Sequence, residues 1–350
     1  MENEVKDIRL LDKKEIQTFL VDLGEKKFRA NQVFEWLWQK SATSFEEMTN
    51  LSKGLREKLE AHFTINCITL EQQQVSTDGT IKCRFKLHDG HLMESVLIPV
   101  KRDNRYTVCV STQVGCSLTC SFCATGRMKR ERNLDPGEIY DQVVIVNKLC
   151  LEHYNKPVTN IVYMGMGEPL LNYQHTLKSV ERITSEDGLG MSPRRITVST
   201  AGVAKMIKKL ADDEVRFNLA LSLHAANDIK RNEIMPINES NSLEVLIESL
   251  FYFLDNTKNC NLTFEYICFQ DFNDSLEDAE ELLAICKKLP TVKVNIIEYN
   301  PIDNAPFRKS TARRIDDFAN HLKDNFVNVT VRRSRGRDID AACGQLANKG

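Results

Sequence analysis

The stretch Cys116-Ser-Leu-Thr-Cys120-Ser-Phe-Cys123 places three cysteines at C-x3-C-x2-C spacing. Thiolates so close in the chain cannot all point into one hydrophobic core, but they converge readily on one metal site. Four would close a structural zinc site or an ordinary iron–sulfur cluster. Three, with no fourth nearby, leave one iron of a cubane cluster open to a small ligand. Buried or reduced thiols, or a zinc completed by a distant His, are the plainer alternatives. Cys343 lies in Asp338-Ile-Asp-Ala-Ala-Cys-Gly-Gln-Leu346, flanked by Gly336 and Gly344 and preceded by Arg332, Arg333, Arg335 and Arg337. This reads as a mobile loop with phosphate-seeking arginines, or as a charged terminus with an idle thiol. Cys109 by itself is a small core residue, a common fate of a free Cys.

These residues must be held by something. Lys82–Leu87 and Leu92–Ile98, separated by a turn at Asp89-Gly90, predict a hairpin. Under period two, Leu92, Glu94, Val96 and Ile98 share a face, so Glu94 is the lone carboxylate of an apolar row. Burying it unpaired is costly; an edge strand with that face partly wet is the alternative. Before the hairpin, Lys13–Leu23, Phe28–Trp38 and Ser52–Phe63 carry apolar residues at helical spacing, and Ser44-Phe-Glu-Glu47 reads as a capping box. From Tyr106 onward, strands alternate with helices. The strands are Thr107–Ser111, Asn160–Met164, Arg195–Ser199, Phe217–Leu221, Leu262–Phe269, Val292–Tyr299 and a last one at Asn328–Arg332. One helix opens at Asp135-Pro136. The others fall at Gln174–Ser185, Val203–Ala211, Leu243–Asn256, Ser275–Lys288 and Ala312–Asn325. Repeated βα units imply a parallel sheet, closed or partly closed as a barrel, with its chemistry at the C-terminal strand ends.

With the sequences Cys109-Val-Ser-Thr-Gln-Val-Gly-Cys116, Met164-Gly-Met-Gly-Glu-Pro169 and Asp340-Ala-Ala-Cys343-Gly-Gln-Leu346, the cysteine cluster resembles the radical S-adenosylmethionine (SAM) enzymes of the RlmN/Cfr family. The resemblance runs from about Lys26 to Leu346. It implies an α/β fold, a partial parallel (β/α)6 radical SAM barrel with a small N-terminal helical accessory domain and a β-hairpin extension. The expected divisions are 1–65 for the helical, RNA-binding part, 66–105 for the hairpin with Glu94, 106–335 for the barrel and 336–350 for a mobile segment with Cys343. It further implies one [4Fe-4S] cluster on Cys116, Cys120 and Cys123. Two SAM are used per turnover, with Gly167, Glu168, Ser199, Ser222, Leu223, His224 and Asn300 as the SAM contacts. A lone His such as His224 is more often structural.

In the scheme that the resemblance implies, Cys343 takes a methyl group from one SAM. A radical made from the second SAM removes hydrogen from that methyl. The carbon so formed adds to adenine, Glu94 removes the ring proton, and Cys109 releases the product by forming a disulfide with Cys343. Carbon 2 of adenine is electron-poor and does not attack SAM as an amine does, so a radical route is required. The expected substrates are an adenosine in 23S rRNA and the adenosine beside the anticodon in tRNA. A flavodoxin-type donor supplies electrons, and the protein is expected to be a cytoplasmic monomer with no membrane partner. A carbon-8 enzyme shares every one of these residues; Pro169, in place of Ala, favours carbon 2. A cluster- or zinc-bearing RNA-binding protein without methylation is the reading of a different class.

The composition agrees. The 350 residues are 42% hydrophobic and 27% charged, which is ordinary for a globular chain. A net charge of −2 means that RNA contacts must use local patches. Arg127–Arg130, Arg132, Arg194-Arg195, Arg313-Arg314 and Arg332–Arg337 are the candidates, with Lys26, Lys27 and Arg29 at a helix start; each could equally be solvated surface. No apolar run approaches a membrane span, and the acidic N-terminus lacks the apolar core of a secretion signal. Eleven cysteines in irregular positions do not form a secreted disulfide framework. Cys67, Cys83, Cys150, Cys260, Cys268 and Cys286 show no pairing logic.

Overall fold

The computed structural model describes residues 5–348. Its centre is one ten-stranded sheet whose strands lie side by side in chain order. They are β1 (Thr69–Val75), β2 (Ile81–Lys86), β3 (Leu92–Val100), β4 (Arg105–Cys109), β5 (Asn160–Tyr163), β6 (Ile196–Thr200), β7 (Asn218–Ser222), β8 (Leu262–Cys268), β9 (Lys293–Glu298) and β10 (Asn328–Arg332). Strands β4 to β10 run parallel, and β1 to β4 antiparallel. The βα units alternate buried apolar strands with helices, as parallel sheets covered on both faces require. The helices are α4 (Pro136–Tyr154), α5 (Tyr173–Thr184), α6 (Ala204–Asp212), α7 (Asp228–Ile234), α8 (Leu243–Asn256), α9 (Leu276–Lys287) and α10 (Ala312–Asp324). Among the described residues no pairing joins β10 back to β1, so the barrel is open. It still curls round one lumen, because side chains from β3 through β10 line a single cavity of about 1350 Å³.

The N-terminal helices α1 (Lys13–Asp22), α2 (Arg29–Trp38) and α3 (Lys53–His62) pack into the same continuous core. The join is polar at one point. Arg9, buried, donates to Asp141 at 2.8 Å and to the Asn66 carbonyl at 2.7 Å.

One local reading is refined and two elements were not anticipated. The Ser44–Glu47 segment forms a short turn, in which Glu47 accepts from the Thr43 N–H and hydroxyl, 3.0 and 2.6 Å. The hairpin is the inner part of a three-stranded antiparallel extension. Its outer strand β1 is largely polar (Glu71 to Gln74) and gives no apolar alternation to read. Helix α7 is short and polar and has no apolar stripe; Asn227 caps it, accepting from the Lys230 N–H at 2.9 Å. No helix among the described residues is long and apolar enough to cross a membrane.

Candidate active site

The cysteine loop leaves β4 and is clipped at its base by the two-residue strands Gln113–Val114 and Arg132–Asn133. Gly115, at φ +73°, passes so close to the Lys129 carbonyl that a Cβ would stand 2.1 Å from it. The loop is fixed at Ser121, whose N–H donates to Ile234 at the end of α7, 3.1 Å. Cys116, Cys120 and Cys123 line one cavity of about 160 Å³. Gly167, Glu168, Ser199, Ser222 and His224 line the same cavity from the C-terminal ends of β5, β6 and β7. The sequence signal of three thiols with no fourth nearby is revised in space, since Cys343 also reaches this wall.

Among the described residues, no three His, Cys, Asp or Glu side chains are gathered closely enough to hold a metal as they stand. The donor set nevertheless fits a cluster bound by three thiolates. Burial pushes the Cys116 thiol up to about 11 and raises Cys120 and Cys123 as well. Such thiols ionise when a cation arrives to share the cavity.

The loop from Met164 to Pro169 lies against the end of β4. Gly167 has φ +96°, and a Cβ there would meet the Gln113 Cβ at 2.5 Å. Only glycine permits that approach. The Glu168 N–H donates to Gln113 Oε1 at 2.9 Å. Its buried carboxylate accepts from the N–H groups of Ala201 (2.8 Å) and Leu170 (3.1 Å). Burial raises its pKa, and these donors oppose the rise. With the Thr200 side chain also bonded to it, the carboxylate still has acceptor capacity left for a ligand ammonium.

The Ser199 and Ser222 hydroxyls lie 3.4 Å apart. His224 sits at φ +57°, edge-on to Phe122 with ring centroids 4.8 Å apart. Its Nδ1 accepts from the Ile267 N–H at 3.1 Å, which assigns the proton to Nε2. Burial and then the Arg231 charge lower its pKa to about 3, so the ring is neutral. Leu223 does not reach the cavity wall; its N–H and carbonyl are taken by the Glu265 carbonyl and the Arg231 Nε. Asn300 also stands off the wall. It donates to the Cys343 carbonyl at 3.3 Å, while its buried Oδ1 has no partner among the described residues.

The tail expected to be a mobile loop is tied down in this structure. Asp338 accepts from the Ser76 hydroxyl (2.5 Å) and the Thr77 N–H (3.0 Å). The Gly344 and Leu346 carbonyls accept from the Ala124 N–H (2.7 Å) and the Thr125 hydroxyl (2.6 Å). Cys343 is thereby set on the wall shared by the thiol cavity and the lumen, and its surface is exposed to them. Burial raises its pKa, and Arg332 opposes the rise. Cys109 lines the lumen alone; burial, and then Cys343, push its thiol up to about 12.

Glu94 shares a face of β3 with the lumen-lining Val96 and Ile98 but does not itself reach the lumen wall, and it is 1% exposed. It is not unpaired. Lys82 Nζ on β2 stands 3.6 Å from Oε1, and Oε2 accepts from the N–H groups of Ala347 (2.9 Å) and Asn348 (3.1 Å). Lys82 lies in the neighbouring strand, where strand periodicity alone gives no register.

Two residues were missed. Arg231, fully buried, donates to the carbonyls of Leu223 (3.0 Å), Ala201 (2.6 Å) and Ser222 (3.2 Å) and to Asn238 Oδ1 (2.5 Å). It braces the ends of β6 and β7 beneath the cavity. Glu265 on β8 is buried between Asn295 (2.7 Å) and Arg332 (3.8 Å). Neither stands in a motif, and a charged residue inside a short helix or an apolar strand is the sole hint.

Residues 6–65 match the model of the ribosomal RNA large subunit methyltransferase N-terminal domain, and residues 110–283 that of the radical SAM superfamily. A Cytophaga hutchinsonii protein named a probable dual-specificity RNA methyltransferase RlmN is 59% identical, over 98% of this chain and 93% of its own. One of that name from Streptococcus thermophilus is 43% identical, over 99% and 89%. The crystal structure of a radical SAM methyltransferase from Sphaerobacter thermophilus superposes with a TM-score of 0.91 at 39% identity, covering 98% of this chain and all of that one. The chain belongs to the RlmN family of radical SAM RNA methyltransferases.

Proposed function

We propose that the protein methylates carbon 2 of an adenosine in 23S rRNA, and of the adenosine beside the anticodon in tRNA, by way of an S-methyl group on Cys343. One observation carries this reading: Cys343 stands on the wall between the cavity of the three thiols and the lumen that holds Cys109. A methyl group received on one side is presented on the other.

A [4Fe-4S] cluster on Cys116, Cys120 and Cys123, with SAM against Gly167, Glu168, Ser199, Ser222, the Leu223–His224 turn and Asn300, supplies one-electron chemistry able to activate an inert methyl group. The protein's own residues do the rest. Glu168 and the Ser199–Ser222 pair orient SAM. Neutral His224 would offer its Nε2–H to bound SAM and adds no positive charge to the cavity. Cys343 as its thiolate would take the methyl of a first SAM, with S-adenosylhomocysteine as the leaving group and Arg332 favouring the thiolate; a second SAM would serve activation. After the methyl carbon joins adenine, Glu94 accepts the ring proton. Cys109 then attacks the Cys343 sulfur: the S–S bond forms, the bond from that sulfur to the methyl carbon breaks, and this carbon takes up a proton as the methylated RNA departs. A flavodoxin-type donor in the cytoplasm would supply the cluster's electron, two electrons and two protons would return the disulfide to thiols, and a monomer suffices because every residue named comes from one chain.

The test is anaerobic. The reconstituted protein receives SAM, dithionite and unmodified RNA, and the digested adenosine is identified by mass. 2-Methyladenosine is expected, and Cys343→Ala abolishes it. 8-Methyladenosine would replace the carbon-2 reading, and intact SAM over a loaded cluster would end the enzyme reading.

A further inference from the structure

The lumen is larger than SAM chemistry requires, and it is charged. At about 1350 Å³ it exceeds the usual range for small-molecule sites. Its lining carries Arg102, Arg105, Arg195, Lys287, Lys293, Arg332, Arg333 and Arg335 against one carboxylate, Asp103. In a chain of net charge −2 this is a strong segregation. Most basic segments marked in the sequence are occupied elsewhere. Arg132 holds Glu138 at 2.8 Å, Arg314 pairs with Asp271, Arg313 with Asp317, and Arg127 donates to backbone carbonyls. Arg195, Lys287, Lys293 and Arg335, by contrast, have no carboxylate partner among the described residues. Arg195, Lys287 and Lys293 stand at the mouth formed by the N-terminal ends of β6 and β9, whereas Arg335 follows the C-terminal end of β10, at the other end of the lumen. Burial, then Arg332 and Arg105, lower the Lys293 pKa against the opposing pull of Glu265, so Lys293 lies within the field of those two arginines.

A second observation stands at the same mouth. Phe326, in the turn between α10 and β10, is 99% exposed at φ +64°. A bulky aromatic in the left-handed region and wholly in water serves no packing purpose. An aromatic face among cations is how proteins hold single-stranded nucleic acid, by base stacking and phosphate attraction.

We infer that the RNA strand docks on this N-terminal mouth, with Phe326 stacking a base and Arg195 and Lys293 holding phosphates, so that the target nucleotide rises through the lumen to Cys343. The inference rests on the reading of the protein as an RNA methyltransferase. It makes the two cavities two entrances: SAM on the thiol side and nucleotide on the Cys109 side.

The experiment compares the reconstituted full-length enzyme with Arg195→Glu/Lys293→Glu, Phe326→Ala and, on the cysteine-loop side, Lys129→Glu/Arg130→Glu. Methyl on Cys343, read by intact mass without RNA, reports folding and the SAM half-reaction separately. The double mouth variant is expected to weaken RNA binding at least tenfold. The slope of log affinity against log salt should become shallower by about two, near one for each phosphate no longer held. Phe326→Ala should raise the KM for RNA with little change in kcat. RNA binding unchanged in the mouth variants, or abolished only in Lys129→Glu/Arg130→Glu, would overturn the route. Wild-type protein that never gains a methyl on Cys343 would instead overturn the methyltransferase reading beneath it.

Discussion

Glu94→Gln separates two roles that one carboxylate plays. Glu94 and Lys82 are 1% and 6% exposed, with 3.6 Å between Oε1 and Nζ. Their attraction at that distance is on the order of 5 kcal/mol at an effective dielectric constant of about 20. Glutamine keeps an oxygen for the Ala347 and Asn348 N–H groups but presents no charge to Lys82. Breaking a buried pair from one side costs about 3–5 kcal/mol, because the other charge is left buried. For 350 residues that cost lowers Tm by about 4–7 °C. Lys82→Met in the Glu94→Gln background removes the stranded charge and should recover most of the loss, since the site is then uncharged and the introduced glutamine still accepts from Ala347 and Asn348. Turnover should not recover, because no base remains to take the ring proton. The assay is thermal melting of both variants beside methyl transfer to RNA. A single variant as stable as wild type would refute the buried-pair argument. A double variant that methylates RNA would refute Glu94 as the base.

Three further outcomes follow from the same geometry. Cys109→Ala leaves nothing to attack the Cys343 sulfur, so RNA should remain attached to the protein as a slower gel band that ribonuclease removes. Gly167→Ala puts a methyl 2.5 Å from Gln113 Cβ at φ +96°; strain of about 1–3 kcal/mol should displace Glu168 and weaken SAM binding at least tenfold by calorimetry on the loaded enzyme. His224 has a folded pKa of about 3 against 6.5 ordinarily, so between these values the unfolded chain binds a proton that the native ring refuses. Stability therefore rises with pH across that window and falls as pH drops, by up to about 1.4 kcal/mol per unit. His224→Gln should flatten the pH dependence of unfolding between pH 4 and 6.5 relative to wild type.

Much of this architecture was legible because the signals were local. Each barrel strand is an apolar run whose bounds shift by only a residue or two, as with Leu262–Cys268 and Ile196–Thr200. The C-x3-C-x2-C loop and the Gly-Met-Gly-Glu turn carry their spacing in the chain itself. What escaped was set by register and by return of the chain. Lys82 meets Glu94 only because β2 pairs with β3 with Arg84 opposite Glu94. Arg231 meets the carbonyls of Ala201 and Leu223 across a loop and a helix. Cys343 joins the thiol cavity from more than 200 residues away in sequence. Of the basic segments, the sequence shows charge but not which carboxylates already hold it; Arg132 and Arg314 are structural, while Lys293, in no basic run, faces the lumen.

The strictly sequential order of the strands bears on the birth of the molecule. Each βα unit can pair with its predecessor as it leaves the ribosome, so the sheet needs no waiting partner from downstream. The tail is the exception. Asp338 clasps Ser76, 262 residues earlier, and Asn348 reaches Leu92 across 256. These clasps cannot close until almost the entire chain is made. Cys343 is thus delivered to its wall after the thiol loop and the lumen already exist, and under the proposed function the residue that would carry the methyl group is among the last to arrive.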